Sequence, residues 1–324
     1  MTMRYVVANF AYGTGPYLRT TELALAVNRE RVVRGMPELG IIVPWVYGEK
    51  QKRIMREAFG ALPQGSIVLD RRLGEILHAI FYGDIAYEAA LRLWVMRHES
   101  LSEEARRHLS GKIVVEDLYG NAHTVRGSDI VMEINRAGRL TYGVAPVYAA
   151  TFGYVSAILE EVSAIPQDTI ALDRALARQA AVLARRGEDA YVFRGRAHPG
   201  TFSYQDDEGR HRSGDIALPP TIDPPVPSDE DIPEGIYVTV TGIPGLERLY
   251  REARALGLRL YTNDPESVPG GERLPPRYVA NPRIRAQFAR SGWGSVWLSQ
   301  LTGTPFIAPP YDSHDDPEIY FNNI

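Results

Sequence analysis

The chain has no cysteine, which excludes a disulfide framework and any thiolate metal site and leaves thiol usage silent about its compartment. It has no basic excess either. The 36 Lys and Arg are set against 40 Asp and Glu, a net charge of −4, so no positive field draws in a nucleic-acid backbone and no such partner is expected. The opening MTMRYVVANFAYG has too short an apolar run for a signal peptide, and the expected address is cytoplasmic. Among the few histidines, His198 and His211 stand in a polar stretch without ligand spacing, and no metal and no cofactor are expected. One run, Tyr142 to Leu159, goes 18 residues without a charge and touches the lower limit for a membrane-crossing helix, about 17 residues. Gly143, Pro146, Thr151, Gly153 and Ser156 interrupt it, so it reads as a buried strand followed by a helix. Tyr142, Tyr148, Phe152 and Tyr154 beside Arg136 and Arg139 make it a candidate for peripheral contact with the inner face of a membrane.

What is present is enough for two domains: 324 residues, 44% apolar and 23% charged, at the usual roughly 100 to 200 residues per domain. Met3 to Phe10 reads as a strand, the run from Ala11 to Pro16 as a glycine loop, and a helical pattern begins at Thr20 and ends at Arg34-Gly35. Ile41 to Pro44 is a second strand. This is a βαβ opening whose loop, Gly13, Thr14, Gly15 and Tyr17, is expected to face a cleft between domains. The glycines do not complete a dinucleotide fingerprint, and no acid follows at the ribose spacing.

Further on, helices are expected over 49–61 and 73–94 with a strand at Ser66 to Leu69 between them, then a helix from Leu101 to Leu109 opened by the capping-box pattern Ser100-x-x-Glu103. Strands follow at Ile113 to Val115 and Asp129 to Ile134, a helix over 172–186, and a strand at Tyr191 to Phe193. Ligands in open α/β sheets sit beyond the carboxyl ends of strands, which points Glu116, Asp117, Glu133 and Asn135 at a substrate. Glu133 is the first choice of general base and Asp129 the second. Residues 213–234 carry six prolines and six acids and no basic residue, the composition of a stiff, extended linker. They divide an N-terminal domain, 1–212, from a C-terminal domain, 235–324. Beyond the linker a second βαβ is expected: a strand at Ile236 to Thr241, a turn from Gly242 to Gly245, a helix to Leu256 and a strand at Leu258 to Tyr261.

The last stretch, AQFARSGWGSVWLSQLTGTPFIAPPYDSHDDPEIYFNN from Ala286 to Asn323, is the most informative. Ser291, Gly292, Trp293, Gly294 and Ser295 form a glycine-broken turn that opens a helix, and Gly303 with Pro305 closes it. A helix start offers unpaired N–H groups and partial positive charge to an anion. Pro305 to Ala308 is a short strand, and Asp312, His314, Asp315, Asp316, Glu318 and Asn322 follow. This order resembles the donor half of GT-B glycosyltransferases, above all the inverting enzymes that add N-acetylglucosamine to the lipid-linked peptidoglycan precursor and the related plastid galactolipid synthases.

The resemblance implies an α/β chain of two Rossmann-like domains facing a cleft, and hexosyl or N-acetylhexosaminyl transfer from a nucleotide-diphosphate sugar, such as a UDP-sugar, to an acceptor hydroxyl on a lipid-linked or glycan substrate. The nucleotide-sugar would be substrate, not cofactor. On this resemblance Ser291, Gly292 and Ser295 hold the diphosphate, Asp316 and Glu318 the sugar, and Asn322 the amide contact beyond; Gly242 and Gly245 match a second phosphate loop. No E-x7-E of retaining families occurs in the donor half, so inversion is expected, without a metal. Three departures stand out. Leu298 occupies the place of the ribose-gripping Glu, Ile243 that of a loop hydroxyl, and Tyr17 lies nearest the place of a loop His. They favour, as a rival, a non-catalytic nucleotide-sugar-binding or regulatory subunit on the same fold; an epimerase is a third reading.

Overall fold

The computed structural model describes residues 3–9, 14–81, 86–128, 131–134, 139–143, 191–196, 216–217, 225–239 and 246–310, with residues 173, 175, 176, 179, 312 and 319. Two compact units result, Met1–Arg196 with Arg210–Ala217, and Ala197–Gly209 with Leu218–Ile324. In the first, β1 (Arg4–Asn9), β2 (Leu39–Pro44) and β3 (Ile67–Asp70) run parallel, and β6 (Val131–Ile134) joins β1 on its other side, also parallel. Every residue of β2 and β3 is buried, as strands covered on both faces must be. Antiparallel pairing extends both edges, β4 (Lys112–Asp117) and β5 (Ala122–Arg126) beyond β3, and β7 (Arg139–Gly143) and β8 (Tyr191–Arg196) beyond β6, while β9 (Ile216–Ala217), outermost, runs parallel to β8.

Helices α1 (Thr14–Val33), α2 (Gly48–Phe59), α3 (Arg71–Phe81) and α4 (Tyr87–Leu109) connect these strands. Helix α1 begins at Thr14, not Thr20: Gly15-Pro16 belongs to its first turn, where proline forfeits no needed N–H. Helix α4 is one helix through Ser100, whose hydroxyl donates back to the Arg97 carbonyl at 2.8 Å. Ser100 is therefore interior rather than a cap, because Ser and Thr bond to the preceding turn mid-helix as readily as they cap. Where α3 meets the end of β2 the fit requires glycine: a Cβ on Gly74 would stand 2.1 Å from the Trp45 carbonyl oxygen.

The antiparallel course of β4 corrects one expectation. Its carboxyl end, Glu116 and Asp117, pairs with Leu69 and Val68 and so runs away from the edge where the parallel strands end. Glu116 pairs instead with Lys52, and Asp117 builds the β4–β5 turn. Its carboxylate accepts the backbone N–H of Tyr119 and of Asn121, both at 2.9 Å, and the His123 Nε2 at 2.9 Å.

In the second unit β10 (Gly235–Val238), β11 (Arg259–Thr262), β12 (Glu272–Arg273), β13 (Ile284–Phe288) and β14 (Phe306–Ile307) form a wholly parallel sheet in the order β12-β11-β10-β13-β14. Helix α5 (Leu246–Ala255) packs Leu246, Tyr250 and Ala253 against Ile236, Val238 and Phe288 on one face. On the other, Tyr237, Tyr261 and Ile284 meet Val279 of the 3-10 turn Pro276–Ala280 and Leu298 of helix α6 (Trp293–Thr302). Gly303, at φ 68, ends α6 in the left-handed region. Strand β13 is not among the elements expected from sequence; Arg285 within it is exposed and sits at a register irregularity.

Residues 225–234 lie fastened along this second unit. The Asn281 side-chain amide donates to the carbonyls of Ser228 and Glu230 at 2.9 Å each, Tyr261 donates to Pro233 at 2.8 Å, and Ile232 packs against the Tyr237–Tyr261 cluster. The chain is thus α/β with two Rossmann-like units, the class read from the sequence. Among the described residues no helix is long and apolar enough to cross a membrane; of the run from Tyr142 to Leu159, all but Tyr142 and Gly143 lie outside them.

Burial alone would raise the Asp117 pKa, but hydrogen bonds from Asn121, His123 and the Tyr119 amide outweigh it and lower the pKa to about 2 from 3.8. A lowered folded pKa stabilises above the unfolded value, and the contribution is lost as pH falls from 3.8 toward 2. Asp117→Asn is expected to cost about 2 kcal/mol at pH 7 by urea unfolding, with the gap to the parent narrowing as pH drops toward about 3. An equal gap at both pH values would show that the charge is not what holds the turn.

Candidate functional site

An open parallel sheet has a topological switch point where neighbouring strands send their connections to opposite faces and a crevice opens beyond their carboxyl ends. In the second unit it lies between β10 and β13, whose register brings Val238 opposite Phe288. Ala289, Arg290, Ser291 and Gly292 lead directly into α6. Gly292 is the N-cap in extended conformation, φ −67 and ψ 149, with no side-chain cap. Its carbonyl accepts the amides of Ser295 and Val296 at 3.0 Å each, so the amides of Trp293 and Gly294 precede the first intrahelical donor. A Cβ built on Gly292 or Gly294 would meet nothing within 4 Å. Their surroundings are open, so an anion can approach this positive helix end.

Ser291 is fully buried, and its hydroxyl donates to the Ile319 carbonyl at 3.1 Å. That bond ties the C-terminal segment to the turn at the residue following Glu318. Asp316, Glu318 and Asn322 themselves lie outside the described residues, as do Gly242 and Gly245. Leu298, in the place of the expected ribose-binding acid, packs into the sheet layer with Tyr237 and Val279.

In the first unit β1 and β6 are neighbouring parallel strands, β6 continuing into the antiparallel β7, and the register sets Asn9 opposite Glu133 at their carboxyl ends. Thus Glu133 and the start of the 10–13 connection share one edge of the sheet. Asp129 and Gly13 lie outside the described residues, while Thr14 and Gly15 open α1. Tyr17 is not a loop residue: it is 0% exposed, packs in the core with Ala8 and Val43, and has the Tyr47 ring 6.1 Å away. Burial first, then Tyr47, pushes its hydroxyl pKa far above the ordinary tyrosine value. The phenol cannot take a proton from a substrate.

Two features of this edge depend in part on contacts between distant stretches of the chain. Asp70, fully buried at the end of β3, accepts the Leu73 amide at 3.0 Å as the N-cap contact of α3, and its other oxygen lies 2.7 Å from His108 Nε2. Trp45, after β2, has Arg71 at 4.7 Å and Lys52 Nζ at 5.2 Å from its ring centroid. His108 and Arg71 are distant in the chain from Asp70 and Trp45, so only the fold brings these two pairs together. Among the described residues no group of three His, Asp or Glu side chains converges to hold a metal ion.

No family model matches the chain, and no curated protein does. Among solved structures, that of Phytolacca americana UGT2 complexed with UDP-2fluoro-glucose and pterostilbene aligns over 97% of this chain and 82% of its own, at 14% identity and a TM-score of 0.47. A score and an identity at this level do not by themselves define a shared fold.

Removing the hydroxyl at Ser291 should release the C-terminal segment from the turn. Ser291→Ala is expected to cost about 1 to 2 kcal/mol and to raise amide hydrogen exchange in the peptide covering 311–324, with α5 unaffected. Unaltered exchange there would dissociate the segment from the turn.

Proposed function

We propose that this chain transfers a sugar from a nucleotide-diphosphate donor, a UDP- or dTDP-sugar, to an acceptor hydroxyl, with inversion and without a metal ion. The reading is carried by the uncapped, glycine-opened start of α6 at the β10–β13 switch point, to which the Ser291–Ile319 bond ties the C-terminal segment. The sequence resemblance to GT-B glycosyltransferases runs through these same residues. In this reading the amides of the 291–295 turn and the α6 dipole take the charge that develops on the departing diphosphate, as preorganised dipoles do for other leaving groups. They replace a cation there. The second unit holds the donor, with Gly242 and Gly245 on the phosphates and Asp316, Glu318 and Asn322 on the sugar. The first unit takes the acceptor, a hexose-accepting glycan or lipid-linked hydroxyl, near Gly13, Thr14 and Gly15, in the cytoplasm or at the inner membrane face.

Inversion needs a base on the acceptor hydroxyl, and Glu133 is assigned that role because its strand end adjoins that of β1; Asp129 is the reserve. A second reading, a nucleotide-sugar-binding protein without transfer, is favoured by Leu298, whose side chain is engaged in the core where the family places a ribose-binding acid.

Thermal shift separates these readings from a dinucleotide-binding protein. UDP or dTDP is expected to raise the melting temperature with a dependence on concentration that follows ligand excess over its dissociation constant, while NAD leaves it unchanged. No response to UDP, dTDP or GDP would refute the nucleotide site. Glu133→Gln should then keep nucleotide binding and lower transfer by roughly 10²- to 10⁴-fold; unchanged transfer would remove Glu133 from the mechanism. Nucleotide binding with no transfer to any acceptor would favour the second reading. EDTA should leave transfer unaffected.

A further inference from the structure

Gln287 is an unusual residue for its place. It lies in β13 with both neighbours paired, Tyr237 on one side and Phe306 on the other, and it is 0% exposed. Neither its carboxamide nitrogen nor its oxygen has a hydrogen-bond partner among the described residues. Buried amides in native proteins are almost always bonded, to protein or to ordered water, because an unmet donor or acceptor loses its hydration with nothing in return. A second such group stands beside it. Thr239 extends the β10 ladder, its amide donating to the Phe288 carbonyl at 3.0 Å, and its buried Oγ1 also has no partner among the described residues.

The register fixes their relation. Tyr237 is opposite Gln287, so Thr239, two residues further, projects from the same face of the neighbouring strand, one diagonal step toward the carboxyl edge. Strand spacing and rise put the two Cα atoms roughly 8 Å apart, which a glutamine side chain and one water span. The face is the one bearing Tyr237, against which Leu298 of α6 packs. The layer above it is already hydroxyl-rich: Ser299 is 6% exposed, Thr302 donates to the Leu298 carbonyl at 2.8 Å, and Thr304 to that of Val279 at 2.7 Å.

We infer that Gln287 and Thr239 hold an internal water site beneath α6, in which the amide donates with Nε2 and accepts with Oε1 while the Thr239 hydroxyl supplies the further partner. A buried water needs two to four polar partners, and these atoms supply them. The site seats α6 on β13 and β10, directly behind the helix start, and makes Gln287 a positioning residue for that helix. Its existence does not depend on the proposed function.

The test is made on the full chain without nucleotide. Gln287→Met keeps the volume and removes both polar atoms; Thr239→Val does the same for the hydroxyl. Each is expected to lower the melting temperature of the second unit by about 2 to 5 °C, and the double variant by less than the sum, because both act through one water. A melting temperature unchanged or raised in Gln287→Met would overturn the site, since deleting a truly unmet amide removes its desolvation cost. If Gln287→Met does not fold, Thr239→Val decides, an unchanged value again overturning the site. A crystal structure at about 1.8 Å should show the water between Thr239 Oγ1 and the Gln287 carboxamide, and density for a direct bond between them would equally refute it.

Discussion

The amide groups at the head of α6 are the constraint around which the second unit is arranged. A helix leaves its first N–H groups without internal partners, and most helices meet that need with a side-chain oxygen at the cap. Here the cap is a glycine. The parallel sheet makes the choice consequential, because a parallel strand can be reached only by a crossover, and crossovers to opposite faces leave the β10–β13 boundary open at its carboxyl edge. Backbone dipoles are fixed by the fold and cost nothing to orient when an anion arrives. Side chains would have to be held in place.

The departures from the pattern that the sequence resembles share a physical character. Leu298 and Tyr17 differ in chemistry from the acid and the imidazole expected at these places from the resemblance, and both are taken up by packing, one with Tyr237 and Val279, the other with Ala8 and Val43. A polar ligand contact restored at Leu298 would place a carboxylate against an apolar layer, where burial of a charge is costly without a partner.

Much of the architecture was legible because the signals are local. Apolar runs of strand length, the Gly303-Pro305 stop and the alternation of strands with helices identify both Rossmann-like units and place the turn before α6. Strand direction is a different matter: nothing in Ile113 to Val115 says that β4 runs antiparallel, yet that alone removes Glu116 and Asp117 from the ligand-facing edge. The Ser100-x-x-Glu103 pattern misled because its hydrogen bonds are available to serine inside a helix as well as at its start. The proline-rich stretch gave no sign of the attachment of 225–234, which depends on Asn281, Tyr261 and Tyr278, about 30 to 50 positions later. At the candidate site, the turn itself was visible in sequence, whereas the Ser291–Ile319 bond and the orphaned carboxamide of Gln287 are properties of packing.

The fastening of 225–234 also defines what counts as a separable piece of this protein. Tyr237 and Tyr261 form the floor on which Ile232 rests, and Asn281 has both carboxamide atoms engaged, its oxygen by the Arg283 amide at 2.8 Å and its nitrogen by the strap. A fragment begun at β10, where the first strand starts, would expose that apolar floor and leave the nitrogen to water. The natural start of the second unit therefore lies no later than Ser228, inside the proline run, and the stretch that looks most like a spacer is in part the outer wall of the unit it precedes.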